Sequence, residues 1–434
     1  MIGRRAGSPR LPLFLVAATV AMPLAMACAT SERADDRINP GTPLWFHHSS
    51  GAIHVLVRRQ LTIPGLTSGE DYERGRPALD PEHNRVFIGS ADHGLYAVRA
   101  TDGSSLWRFQ TLGPVQSEPL YDPELDVVYF GSNDGALYTV NARDGSLRWR
   151  FATGAEVSRS PVITDEMLFV ANGADQLFAL DRRTGKQRWN VHRTSALGME
   201  VAGHAGPMVV RGKVYMAFSD GHVGAYDASD GTERWTPVDL SAEAEQGAGG
   251  EAPRYLDVDT TPVADELPSG HVIYVASYAG GVFALDAESG ARVWVSEKAV
   301  GVTELTLWRE PAHAPSSFGP DRGGPIVPAR KLLLATSSVS GLWALDPTTG
   351  KQLWRITIPE GGMTAPVALA GALLVGTTRY GLFVLSPLDG RSMDGLDLGT
   401  GFAETPAAFG DRAYTMSNAG TFLGVQVEPP IARK

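Results

Sequence analysis

The sequence predicts an all-β protein: an eight-bladed β-propeller of four-stranded antiparallel blades, its ring closed by an N-terminal strand that pairs with the last blade. Three observations carry that prediction. One unit recurs eight times in 434 residues: a proline-led strand, an apolar strand, a small-residue turn, another strand, then Gly-x-x-x-Trp. The prolines stand at Pro77, Pro119, Pro161, Pro207, Pro262, Pro325, Pro366 and Pro406, spaced by 42, 42, 46, 55, 63, 41 and 40 residues. A period of roughly 40–50 residues with four short strands per unit is the signature of a propeller. The two ends are also incomplete in complementary ways. Residues 403–427 supply three strands, whereas Gly41 and Trp45 form an outer-strand turn with no strands before it. Leu44-Trp45-Phe46 is therefore expected to complete the last blade and remove the free sheet edges.

The chain opens on a targeting pattern, which stands apart from the fold. MIGRRAGSPR is a positive leader, followed by 17 apolar residues ending in Ala25-Met26-Ala27, and then by Cys28, the one cysteine of the chain. This junction resembles the lipidation site of bacterial lipoproteins, with Ala25 in the place usually held by leucine. Two readings stand: a lipidated Cys28, or a plain cleaved signal with Cys28 incidental. The first divides the chain into a signal peptide (1–27), a lipidated linker (28–42), the propeller (43–428) and a short tail (429–434). A single cysteine leaves no disulfide within the chain, so stability must come from the repeated core. No second apolar stretch is long enough to span a bilayer, so acyl chains would do any anchoring.

Within a blade, residues 158–193 are representative. The segment at Pro161 reads as the innermost strand, where a lost ladder donor matters least. MLFVANG is a nearly continuous apolar run, as expected for a strand covered on both faces. Thr184-Gly185 makes the last hairpin, because glycine tolerates positive φ. The tryptophans at 107, 149, 189, 235, 294 and 354 recur once per blade, which argues for packing between blades rather than a ligand-binding array. The seventh turn, at Gly390, carries Asp394 where tryptophan is expected.

Three stretches break the period: 46–74, the acidic Gly-Ala-rich 236–256, and 295–322, in which VTELTLWRE reads as a short helix. Extra length in a repeat array goes into loops, which carry binding or are tolerated decoration. Net charge is −10 overall and −13 once the first 27 residues are set aside, with 35 basic and 48 acidic groups remaining. That balance disfavours nucleic acid, which needs a basic footprint.

LFALDRRTGKQRW (177–189) and LWALDPTTGKQLW (342–354) resemble the pyrroloquinoline-quinone-type repeat. Two groups share this repeat: quinoprotein dehydrogenases, with a redox cofactor and Ca²⁺ on the ring axis, and non-enzymatic scaffolds. The enzyme is disfavoured. The adjacent-cysteine disulfide typical of quinoprotein alcohol dehydrogenases is missing, and no Glu/Asn/Asp set has a spacing recognisable for Ca²⁺, which takes six to eight oxygens. No metal-ligating histidine spacing and no Gly-x-Ser-x-Gly elbow occurs. No cofactor, metal or catalytic residue is therefore expected.

The segment YLDVDTTPV (255–263) closely resembles the BamB family of outer-membrane assembly lipoproteins. That resemblance implies an eight-bladed, lipid-anchored propeller at the periplasmic face of the outer membrane. It would be a monomer within its complex, bind the barrel-inserting protein BamA and support the folding of outer-membrane proteins. The family's partner-contacting acids fall on Asp257 and Asp259, and its apolar contact on LGMEVAGHAGP (197–207), hence Met199 and Val201. Alanine at position 202 stands where the family has arginine. Two carboxylates one residue apart on a strand share a face, and an exposed pair can steer a basic patch; alternatively they cap a turn. A secreted repeat propeller that binds another protein or glycan is the alternative function.

Overall fold

The computed structural model describes residues 51–63, 73–194, 204–240, 257–312, 328–358 and 361–428. Every regular element among them is a β-strand, and the strands form eight four-stranded antiparallel sheets. Blade 1 is typical: Pro77–Asp80, Arg85–Gly89, Gly94–Arg99 and Ser105–Gln110, each strand bonded to the next. The second strands are the core of each blade; Val127–Ser132 and Ala372–Thr377 are buried at every position, as their uninterrupted apolar runs require. In a four-stranded meander, the blade-to-blade connections and the turns between second and third strands share one face of the ring. The remaining hairpins lie on the other.

The repeated tryptophan locks each blade to the next. An added Cβ on Gly145 would lie 2.6 Å from Trp107, and on Gly390 2.7 Å from Trp354, so the indole lies flat on a turn that only glycine leaves open. Gly145 also has φ +72°, a region L side chains avoid. The indole N–H then donates to the carbonyl of the same turn: Trp107 to Ala142 (2.9 Å), Trp189 to Ala228 (3.2 Å), Trp294 to Pro347 (3.0 Å) and Trp354 to Pro387 (3.0 Å). The same hairpin face is laced across blades by ion pairs. Arg85 reaches Asp126 at 2.6 Å, Arg182 reaches Asp122 at 2.5 Å, and Lys331 reaches Asp265 at 2.8 Å.

Ring closure follows the expected plan with a different strand. Ile53–Gln60 pairs antiparallel with Thr421–Val427 and completes the blade formed with Ala407–Phe409 and Arg412–Met416. The place expected for Leu44-Trp45-Phe46 is thus taken, and those residues lie outside the described ones. Val57 sits opposite Gly424, the ladder position held by tryptophan elsewhere, and packs on Gly103 of blade 1. The alternation of IHVLVRRQ is a strand pattern that the missing Gly-x-x-x-Trp signature concealed.

The seam explains Asp394. The last blade has no turn between its third and fourth strands, because the chain enters and leaves there. Instead of a carbonyl, this break offers the amides of Ala52 and Ile53, and both donate to Asp394 Oδ2, at 2.7 and 2.9 Å. A donor side chain is replaced by an acceptor because the groove it faces has changed sign.

Two further expectations are corrected. Val302–Glu310 is the first strand of blade 6, paired with Arg330–Ser337, and not a helix; Val302, Leu305 and Trp308 are its buried positions. Pro325, taken as that blade's proline, falls outside the described residues, in the connection between these two strands. The fourth blade's outer strand runs Glu233–Asp239 and so claims the first residues assigned to the 236–256 insertion.

Candidate functional site

Asp257 and Asp259 precede the first strand of blade 5, Val263–Leu267, and both are buried, at 1% and 8% exposure. The expected exposed pair on a strand is therefore corrected: the two acids sit inside the turn. The stretch is held from several sides. Tyr278 N donates to Asp257 O at 3.0 Å, and Thr260 Oγ1 accepts from Ala276 N at 2.8 Å. Gly206 N donates to Thr261 Oγ1 at 2.8 Å, which brings the end of the 197–207 stretch against the 257–261 segment. Met199, Val201 and Ala202 lie outside the described residues, as do Cys28 and the whole leader. Around this junction, Val300 and Val339 are exposed and Tyr278 is half-buried, all on the connection face.

A second cluster lies on the ring axis. Arg76 enters from blade 1 and meets glutamates from three other blades: Glu404 from its Nε at 2.7 Å, Glu118 at 3.2 Å, and Glu304 in a still closer pair. Arg159 Nη1 donates to the same Glu304 at 2.5 Å, while its Nε donates to His204 O at 2.6 Å. His204 faces Glu156 at 3.2 Å. Burial pushes the Glu304 carboxyl up, but Arg76 and Arg159 outweigh it and hold the group down at about 2. For Glu404 the balance is opposite: burial dominates the pull of Arg76, and its carboxyl is raised. For Arg76, burial opposes the charge, and the surrounding glutamates overcome it.

This network bears on the cofactor implied by the repeat. Arginine side chains stand between the axial carboxylates, and among the described residues no three His, Cys, Asp or Glu side chains gather in a way that could hold a metal ion. Such a donor set does not fit a calcium-bound quinone, which would need carboxylates free to face the ion.

The axial residues went unnoticed in the sequence, although a signal was there. Arg76 and Glu118 immediately precede the blade proline, and Arg159 and Glu404 stand two places before it. In four of the eight copies a charge stands one or two places before the proline, positive at Arg76 and Arg159 and negative at Glu118 and Glu404.

Comparison with known proteins places this geometry. A family model described as outer membrane protein assembly factor BamB matches residues 91–310 and 299–393. The outer membrane protein assembly factor BamB of Legionella pneumophila is 28% identical over 215 residues, covering 49% of this chain and 48% of that protein. A tetrathionate hydrolase of Acidithiobacillus ferrooxidans is 24% identical over 278 residues, covering 60% of this chain and 49% of that protein. The chain thus spans about half the length of these two relatives. The crystal structure of BamB from Moraxella catarrhalis superimposes with a TM-score of 0.66 at 19% identity, covering 86% of this chain and 99% of that one, which supports the fold. With most of the ring matched by one family model, the chain belongs to the outer membrane protein assembly factor BamB family.

Proposed function

We propose that this propeller is a docking subunit of the machinery that assembles β-barrel proteins in the outer membrane, with no reaction of its own. The family match across residues 91–393 carries the proposal. Its partner would be a BamA-like barrel-inserting protein, and a lipid on Cys28 would hold it, as a monomer within the complex, at the periplasmic face. The connection face supplies the docking surface. Asp257 and Asp259 are too deep to meet a partner as exposed charges, so their part would be to shape the 257–263 segment from inside. Met199 and Val201 would supply apolar contacts beside it, a place supported by the Gly206–Thr261 bond. A ring closed by strand pairing suits this role, since a rigid partner loses little freedom on binding.

Affinity purification of the tagged, full-length protein from detergent-solubilised envelope tests the proposal. Recovery of a BamA-like protein is expected, with loss of recovery when Val300 and Val339 are both changed to glutamate. Recovery of other envelope proteins alone would overturn it. The similarity to tetrathionate hydrolase favours an enzymatic second reading, although the axial residues do not fit its quinoprotein form. A bound chromophore after adding pyrroloquinoline quinone with Ca²⁺ would support that second reading.

A further inference from the structure

The axial charges line a cavity of about 380 Å³, whose wall also includes Met363, Ala365 and Ala403. Three arginines (Arg74, Arg76, Arg159) and four glutamates (Glu118, Glu156, Glu304, Glu404) line it or pair with its walls. Counting His204 as uncharged, the set carries one surplus negative charge. Glu304 is shared by two arginines, whereas Glu404 pairs with Arg76. The side chains of Arg76, Glu304 and Glu404 are only 15–23% exposed, so their charges are poorly screened by water, whereas Glu118, which pairs with Arg76 from outside the lining, is 37% exposed. The wall is joined to the proposed docking turn through Arg159, His204 O and the Gly206–Thr261 bond.

We propose that this axial cavity receives one primary ammonium group on an apolar stem, a lysine side chain from a protruding loop of the partner protein, with Glu404 as its counter-ion. The occupant is argued from charge complementarity and shape. A cation answers Glu404, which has one arginine where Glu304 has two, and a methylene stem can lie along Met363, Ala365 and Ala403 between the polar residues of the wall. Lysine fits better than arginine, because a compact ammonium can approach Glu404 without displacing the planar Arg76 fork. The raised Glu404 carboxyl adds a consequence. Facing Arg76, with Glu304 and Arg159 nearby, the carboxyl would be drawn back down by a bound ammonium.

The identity of the occupant as a partner residue rests on the docking function proposed above, but the cavity can be tested without any partner. Calorimetric titration of the intact protein with N-acetyl-lysine N-methylamide should give saturable binding. Glu404→Gln, which preserves the shape and an acceptor for Arg76, should weaken binding at least tenfold; Ala403→Leu, which fills the cavity without touching a charge, should do the same. The uncharged norleucine analogue should not bind. No heat with the lysine probe, equal binding of the norleucine analogue, or an unchanged affinity in Glu404→Gln would overturn the proposal. Failure here would leave the purification experiment unaffected, whereas failure to recover a BamA-like protein would leave the cavity chemistry standing and remove only its named occupant.

Discussion

Replacing Asp394 tests the ring seam more sharply than replacing any tryptophan. Its carboxylate is 2% exposed and accepts from Ala52 N at 2.7 Å and Ile53 N at 2.9 Å, the first amides of the closing strand. Ala52 is itself buried, at 7% exposure, so water cannot readily take over both bonds. Each orphaned buried N–H costs roughly 1–3 kcal/mol, which puts Asp394→Ala at about 2–5 kcal/mol. Asp394→Asn keeps an oxygen at the same place and loses the charge assistance, for about 1–2 kcal/mol. Asp394→Trp is the informative variant. It restores the residue found at this position in six blades, yet it should be worse than alanine, because the seam offers amides and the indole has only a donor. Urea unfolding gives the stability order, and amide hydrogen exchange over residues 52–60 locates the damage. A tryptophan variant as stable as the parent, or unchanged exchange over 52–60 in the alanine variant, would refute the donor–acceptor argument.

Other consequences follow from the interblade contacts. Arg182→Met strands Asp122, whose side chain is fully buried, and should cost about 3–5 kcal/mol in urea unfolding. Burial raises the Asp122 carboxyl, but Arg182 and the Leu125 amide outweigh it and leave it lowered. The stabilisation is therefore present above the ordinary carboxylate range and lost as pH falls through the folded-state value, so the deficit of Arg182→Met should shrink in acid. Gly145→Ala combines φ +72° with a Cβ 2.6 Å from Trp107; the backbone part alone costs roughly 1–2 kcal/mol, and thermal unfolding should show a loss at least that large. Asp257→Lys places a charge at a site 1% exposed and should lower the melting temperature of the isolated protein, separating a folding defect from a binding defect.

Much of the architecture was legible because a repeat states each instruction many times. Blade number, strand order and the tryptophan lock could be read from the spacing of prolines and Gly-x-x-x-Trp turns alone. The exceptions lie where one copy departs from the pattern. Ile53–Gln60 carries no tryptophan, since Val57 serves at the seam, so the nearest Trp, at position 45, points to a closing strand twelve residues too early. VTELTLWRE lacks a leading proline and has a helix-compatible composition, yet Val302–Glu310 is drawn into the sheet by its long pairing with Arg330–Ser337. For the candidate site, the sequence identified the 255–263 segment but not the depth of its acids, because burial at a junction of two blades depends on the connections around it. The axial cluster was the hardest to foresee. Its members come from different blades, Arg76 and Glu304 lying 228 residues apart, and only closing the ring brings them together.

Site-specific photo-crosslinking in intact cells tests the docking claim most directly. A photoreactive residue at Val339 or Thr261, on the connection face, should form adducts with a BamA-like protein. The same residue at Phe409, which is 62% exposed on the opposite hairpins, should not. Adducts from Phe409 with none from Val339 or Thr261 would contradict the assignment of the docking face.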